Sequence, residues 1–376
     1  MHSENLGRLA DYKNKRVCIV GLGESGSDIT LEIARVASAT CISTRNGPGY
    51  VISRYWNGSV ADVDTSRCHH SLPKWFWRAG LLRGKLKLES LLNKKDTYDP
   101  KVESMVQKIN QGKEEFSNCL GQPWRYRYGT KSTSFVEAIA YYQVVWKQKI
   151  DRLEKNRIIF KDGSDFFCDI ILCCTGYKPA QTFLSKTLNN VIKEPFNPRK
   201  LYQRIILPDL GKKIGWIGFQ RPGVGAVPPI IELEARYFAL LIDGQKKLPS
   251  INEMRKIISE REATDLSQFP YDALQKTTLT DYMHRLTELS TAIGCEPSLR
   301  KLFYSDPKIW YKVMFGPING AQFRLSGPGA TPEQAKQSLA KIPLMPWPIL
   351  VYEFTLLILA KIMYFIGFKS YKTMGA

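Results

Sequence analysis

Arg16-Val17-Cys18-Ile19-Val20 runs without a break into Gly21-Leu22-Gly23-Glu24-Ser25-Gly26, and that junction narrows the folds open to this chain more than any other segment does. Four apolar residues in succession, two of them β-branched valines and one an isoleucine, are what a parallel strand covered on both faces requires. A turn of three glycines follows at once. From Ser27 to Ala37 the residues Ile29, Ile33 and Val36 recur at helical spacing, and Thr40 to Thr44 reads as a second strand. The order strand, glycine turn, helix, strand is a βαβ unit, and it implies a parallel sheet with helices on its faces.

A GxGxxG set is informative only between a strand and a helix, which is where this one stands. Gly21 permits the tight turn, Gly23 lets the backbone approach a pyrophosphate, and Gly26 lets the helix pack closely. The N-terminus of the helix that follows Gly26 opposes the negative charge, and Glu24 and Ser25 within the motif are counted among the cofactor-binding residues. The alternative is a strand-to-helix turn with incidental glycines. An NAD site places an Asp or Glu at the end of the second strand for the ribose hydroxyls, yet here that strand ends in Ser43-Thr44-Arg45. A carboxylate repels a 2′-phosphate, whereas Arg45 and the Thr44 hydroxyl bind it by charge-assisted hydrogen bonds. NADP(H) is therefore expected over NAD(H). Arg54 is a second candidate for that phosphate or for the adenine face, its alternative being an exposed loop cation.

Composition sets bounds around this motif. With 376 residues, 44% of them hydrophobic and 24% charged, the chain is long enough for about two folded domains and is not a disordered one. The formal net charge of +19 favours phosphate-bearing cofactors, nucleic acid or anionic lipid without choosing among them. The eight cysteines include no CxxC pair and lie mostly in apolar runs, as reduced core residues do. The adjacent His69-His70 beside Cys68 is too clustered on one loop to give tetrahedral geometry, so no metal is expected.

Residues 55 to 131 read as a helical insertion, with Lys74, Arg78, Arg83, Lys85 and Lys87 alternating with Trp75, Phe76, Trp77 and leucines. Such a stretch either rests on a membrane surface or packs its apolar side on the domain. Arg157 to Phe160, a turn at Lys161-Asp162-Gly163 and the run Asp169 to Cys174 read as strands around a hairpin, ending in Thr175-Gly176-Tyr177. Ile214 to Gly218 is expected to be another strand, and Pro228-Pro229 to open a helix. The stretch from Pro343 to Phe368 is apolar apart from Glu353 and Lys361, which suits an interfacial helix or tail anchor, or else a packed terminal helix.

The Lys15 to Ile29 segment, with Ser43-Thr44-Arg45 and Val51-Ile52-Ser53-Arg54 behind it, resembles the NADPH domain of the flavin-containing monooxygenases. Cys174-Thr175-Gly176-Tyr177 is similar to the family's ATGY strand end, Ile214 to Gly218 with Pro228 to Arg236 to its second flavin-side strand and helix, and Phe315-Gly316-Pro317 and Gln322 to Gly329 to its FGP and QFRLxGPG elements. In the family a whole FAD-binding unit with its own GxGxxG precedes this region. The chain is accordingly expected to be an N-terminally truncated piece without that unit. Cys174 stands where the family has Ala, and Glu234 where it has Gln.

The resemblance implies an α/β fold: a Rossmann-type NADPH-binding domain over residues 12–155, the C-terminal portion of an FAD-binding domain over 156–340, and a hydrophobic, membrane-associated tail over 341–376. It also implies NADPH and FAD as cofactors, with Thr175 and Gly176 where the two domains meet and Gly225 near the flavin. In the family NADPH reduces the flavin, O2 adds to it, and the resulting hydroperoxide gives one oxygen atom to an amine nitrogen or a sulfide sulfur while the protein shields it from water. No acid, base or nucleophile of the protein is required, and none stands out here. The expected partners are an amine or sulfide substrate, O2 and a membrane surface, with no nucleic acid; homo-oligomerisation is left open. The implied location is the cytosolic face of an intracellular membrane such as the endoplasmic reticulum, or else the cytoplasm. Two other readings stand beside this one: a non-catalytic NADP-binding fragment or pseudoenzyme docked on membranes, and a flavin-free NADP-dependent dehydrogenase, disfavoured because no His, Lys or Tyr proton donor lies beside the cofactor motif.

Overall fold

A computed structural model describes residues 1–45, 50–51, 55–56, 59–60, 65–71, 129–132, 134–177, 184, 188, 196–223, 225–268, 277–344 and 347–365. Arg54 and the Trp-rich stretch from Lys74 to Leu88 lie outside the described residues. The chain is mixed α/β and divides into two compact units, the first taking in Met1–Ala61 and Tyr128–Tyr177, the second Lys178–Ala376 together with Asp62–Leu82.

The first unit is built on the expected βαβ. Strand β1 (Arg16–Val20) leads through the glycine turn into α1 (Glu24–Ala34) and then β2 (Ala39–Ser43). After α2 (Ser134–Tyr142) come β3 (Val145–Lys147), the meander β4 (Ile150–Glu154), β5 (Arg157–Phe160) and β6 (Asp165–Phe167), and finally β7 (Ile170–Cys173). The sheet order is β7-β1-β2-β3 with every pair parallel, Val17 facing both Ile170 and Thr40 across the ladder. Alternation along β1 divides its side chains between two faces. Val17 and Ile19 join Tyr12, Ile33 and Leu172 on the α1 side, while Cys18 meets Cys41, Ile158 and Phe160 on the meander side. Covering on both faces is why this strand reads as an unbroken apolar run. Helix α1 begins three residues earlier than the apolar spacing indicates, because the second glycine of the turn is itself the N-cap and Glu24 the first helical residue.

The edge of β7 carries a further pairing. His2 bridges Cys173 in parallel, with the Cys173 N–H donating to the Met1 carbonyl at 2.8 Å. At the opposite end of the sheet the Arg16 guanidinium and backbone N–H both donate to Asp169, at 2.6 and 2.8 Å, which holds that carboxyl far below its ordinary range.

The second unit is mainly helical. It contains α3 (Val227–Ile242), α4 (Ile251–Gln268), α5 (Tyr282–Ile293), α6 (Leu299–Ser305), α7 (Pro307–Phe315), α8 (Pro332–Ala340) and α9 (Trp347–Phe365). Its core sets Ile230, Leu233 and Tyr237 of α3 against Leu286, Leu289 and Ile293 of α5, with Phe323 between them. The expected strand over Ile214–Gly218 is absent. The segment makes one ladder-like bond, Trp216 N–H to the Ile205 carbonyl at 2.8 Å, and Gly218 turns it away with φ +85°. The segment's apolar residues pack rather than pair: Trp216 stacks on Phe196 with ring centres 5.8 Å apart. The helical turn Arg67–His70 belongs to this unit, where Arg67 donates to Gln322 at 2.9 Å and to Glu296 at 2.8 Å.

The expected hydrophobic tail forms α9, but not as a membrane span. Leu350 and Leu357 pack with Met314 and Phe315 of α7, while Trp347, Val351, Tyr352, Phe354, Ile358, Leu359 and Ile362 are exposed. Among the described residues no helix is long and apolar enough to cross a membrane. The seven described cysteines form no disulfide; four are buried and three half-buried.

Candidate dinucleotide-binding site

The ends of β1, β2 and β7 gather the motif residues at one edge of the sheet. Since β2 lies on one side of β1 and β7 on the other, the chain reverses its winding direction there, the position at which open α/β sheets hold their ligands. Gly21 has φ +98°, and a Cβ built on it would sit 2.7 Å from the Cys174 carbonyl oxygen, so only glycine fits between the two strand ends. A Cβ on Gly26 would overlap the Gly21 carbonyl, which sets helix against turn. Gly23 differs from both: nothing lies within 4 Å of a Cβ built there, and the residue is exposed. Two glycines are thus required by the protein's own packing, and the third leaves open space in front of the helix end. Gly23, having no side chain, cannot cap α1, and the first turn of any helix presents N–H donors without intrahelical acceptors.

The other candidates in this unit fall around that opening. Ser25 is exposed on the first turn of α1, and Glu24, half-buried, turns its carboxylate to the Lys131 N–H at 3.3 Å. At the end of β2, Ser43 is buried and donates its hydroxyl to the Gln148 carbonyl at 2.8 Å, so this side chain is committed to the sheet. Thr44 is almost buried, and its oxygen accepts from the Trp146 indole at 2.9 Å. Arg45 is exposed. Thr175 and Gly176 are exposed beyond β7, with Gly176 at φ +81° and its carbonyl 3.3 Å from the His2 ring nitrogen. Cys174, behind Gly26, is kept a neutral thiol by burial, its pKa pushed up to about 11.

Sequence reading missed the braces behind this site. Ser132 donates to Asp28 at 2.6 Å, Ser134 donates to the same oxygen at 3.0 Å, and the Phe135 N–H donates to the Ser27 hydroxyl at 3.1 Å. Serines more than a hundred positions from the glycine turn carry no local signal of such a role.

Gly225 lies in the second unit. It has φ +120° and precedes α3, and a Cβ on it would overlap the Tyr282 ring, so its glycine is fixed by packing within the unit. Behind it, the fully buried Glu234 accepts from the Gly218 N–H at 2.8 Å, from the Gln220 amide and from Arg285 at 3.3 Å. Burial raises the Glu234 pKa and lowers that of Arg285 to about 9. Arg199 and Arg204 share Asp265, the latter at 2.8 Å, across a turn in which Gln203 and Arg204 both have positive φ. The Gln322 to Gly329 element is a clasp on α3: Arg236 donates to the Phe323 and Pro328 carbonyls at 2.8 and 2.6 Å, and Arg324 pairs with Glu232 at 2.6 Å.

A parallel sheet with a glycine turn at its switch point defines a nucleotide-binding α/β protein. Residues 1–342 match the model of the flavin-binding monooxygenase-like family, and the chain belongs to that family. It is 30% identical to a decarboxylating 4-hydroxybenzoate brominase of Pseudoalteromonas luteoviolacea over 93% of this chain and 65% of that protein. It is likewise 30% identical to flavin-containing monooxygenase 3 of Rattus norvegicus, over 87% of this chain and 58% of that one. The chain therefore spans about three fifths of the length of these relatives. Among solved structures, the S-allyl-L-cysteine S-oxygenase of Allium sativum aligns with a TM-score of 0.47 at 17% identity, covering 91% of this chain and 58% of that one. FAD and NADPH, expected from the motif and the resemblance, are the cofactors of the family.

Proposed function

We propose that the chain supplies the NADPH-binding part of an FAD-dependent monooxygenase that oxygenates soft nucleophiles, amine nitrogens or sulfide sulfurs. The observation that carries this reading is the open space at Gly23 in front of the α1 end, in a turn whose other two glycines are needed for packing. Backbone N–H groups of the first turn of α1 face the pyrophosphate, and Gly23 admits it to contact distance. Arg45, exposed beyond β2, pairs with the 2′-phosphate, and Thr44 donates to it. Thr175 and Gly176 form the rim on the β7 side. FAD, when bound, supplies the redox chemistry, accepting reducing equivalents from NADPH and passing them to O2. The work of this chain's residues is to bind the dinucleotide and hold it in register.

The relatives support a flavin-dependent oxidation more firmly than a particular substrate. One at 30% identity is named for bromination and another, at the same identity, for monooxygenation, so the substrate class rests on the resemblance and is the finer part of the proposal.

Arg45→Ala tests the cofactor assignment. Losing a charge-assisted phosphate contact is expected to weaken NADPH binding about tenfold or more while leaving NADH binding nearly unchanged. Equal losses for the two nucleotides in a fluorescence titration overturn the 2′-phosphate role. Yellow colour in the purified protein and sulfoxide formed from a thioether support the enzyme; a colourless protein that still binds NADPH supports the non-catalytic binding module.

A further inference from the structure

We infer that Trp146 is a specificity-determining residue of the nucleotide site, acting through Thr44 to fix which way that hydroxyl presents its proton. The inference rests on the NADPH reading above and deepens it.

A threonine hydroxyl has one proton to give and two lone pairs to offer, and its rotor is normally free to show either to a ligand. Here the choice is narrowed. The Trp146 indole N–H, which can only donate, sits 2.9 Å from the Thr44 oxygen and occupies one lone pair. The hydroxyl proton must then point away from the indole. Among the described residues no carbonyl, carboxylate or amide oxygen accepts it. Thr44 is 8% exposed, directly before the exposed Arg45 at the carboxyl end of β2, so its hydroxyl stands as a donor beside a cation.

The indole is itself held. Trp146 lies on β3, whose register sets Trp146 opposite Ile42 and Lys147 opposite Ser43, with the Thr44 N–H donating to the Lys147 carbonyl at 3.2 Å. Phe135 meets the Trp146 ring edge to face at 5.9 Å and is 3% exposed, and its N–H is tied to Ser27 of α1. The element that opens at the glycine turn and the strand end that faces the phosphate are thus linked through one pair of rings.

A phosphate dianion accepts hydrogen bonds and donates none, whereas a ribose 2′-hydroxyl does both. A hydroxyl with one lone pair already taken by an N–H is biased toward donating, and so toward the phosphate. A free one loses part of that advantage but still serves a ribose hydroxyl. Trp146 is a positioning residue on this account, and its effect is on discrimination rather than on folding.

Binding of 2′,5′-ADP and of 5′-AMP to the full chain, measured by calorimetry, reads that discrimination without any need for flavin. Trp146→Phe keeps a ring and removes the N–H. It is expected to weaken 2′,5′-ADP about three- to tenfold, the range of one net hydrogen bond, with 5′-AMP unchanged. In a Thr44→Val background the same substitution is expected to do nothing more, because the hydroxyl it orients is gone. Thr44→Ser, which keeps the hydroxyl, restores sensitivity to Trp146→Phe. Equal weakening of both probes, or full additivity with Thr44→Val, overturns the inference and leaves Trp146 a packing residue. A parent chain with no preference for 2′,5′-ADP over 5′-AMP overturns the NADPH reading itself. Where the preference is present and insensitive to Trp146→Phe, only the orienting role falls.

Discussion

Gly23 and Gly26 lie three residues apart in one motif, and alanine is expected to do opposite things at the two positions. A Cβ at Gly26 would come 3.1 Å from the Gly21 carbonyl carbon, closer still to its oxygen, and 3.4 Å from the Cys174 Cβ. Two of those atoms are backbone and cannot swing aside, so the start of α1 must back away from the turn. Overpacking of this kind costs about 1–3 kcal/mol. At roughly 4 °C per kcal/mol for a unit of this size, Gly26→Ala should lower the melting temperature of the first unit by roughly 4–12 °C. At Gly23 a Cβ meets nothing within 4 Å, and the backbone, at φ −91° and ψ −164°, is already one that alanine adopts. The fold loses only the modest advantage of glycine at an N-cap, about 0.5–1 kcal/mol. Its Cβ instead enters the space where a pyrophosphate must touch the first-turn N–H groups. Each charge-assisted hydrogen bond lost there is worth about 1.5–3 kcal/mol, so Gly23→Ala should bind NADPH about ten- to a hundredfold more weakly. Circular-dichroism melts paired with NADPH titrations separate the two effects. A Gly23→Ala protein that binds NADPH as the parent does, or one that melts as low as Gly26→Ala, refutes the division of labour among these glycines.

Two further outcomes follow from charged groups away from the site. Asp169 is depressed by its hydrogen bonds from Arg16, so its contribution to stability is present above the ordinary carboxylate range near pH 4 and is lost as pH falls below it; Asp169→Asn should flatten the acid limb of a stability-versus-pH curve, and an unaltered limb refutes the assignment. Glu234→Gln should destabilise the second unit by about 3 kcal/mol in urea titrations, because it leaves the fully buried Arg285 with less compensating charge, and a neutral result would show that Glu288 alone suffices for Arg285.

What could be read from the residues alone was whatever repeats locally. The apolar run of β1, the glycine turn, the hairpin between β5 and β6 and the strand β7 all lie where short-range pattern puts them, because each is specified by neighbours in sequence. The Ile214–Gly218 segment failed for the complementary reason. Its alternation looks like a strand, but a strand also needs a partner, and there the chain offers Ile205 for one bond only. At the candidate site the glycine turn was legible, since the need for glycine at Gly21 and Gly26 arises within the turn and at the strand end beside it. The bond from the Ser43 hydroxyl to the Gln148 carbonyl could not be read there, because its acceptor is 105 residues away. The contacts of Trp146, Ser132 and Ser134 were invisible for the same reason, and so were those of the buried arginines, whose partners come together only when α3, α4 and α5 pack.

The corner at Gln203 and Arg204 carries an implication for engineering. Two non-glycine residues in left-handed backbone would ordinarily be the first candidates for an Asn-Gly replacement that relaxes the chain. That exchange would also strip Asp265 of one guanidinium and Arg285 of the amide that Gln203 extends to it. Local geometry and long-range charge pull in opposite directions at this bend, so an optimiser scoring torsions alone would choose the one improvement the surrounding ions forbid.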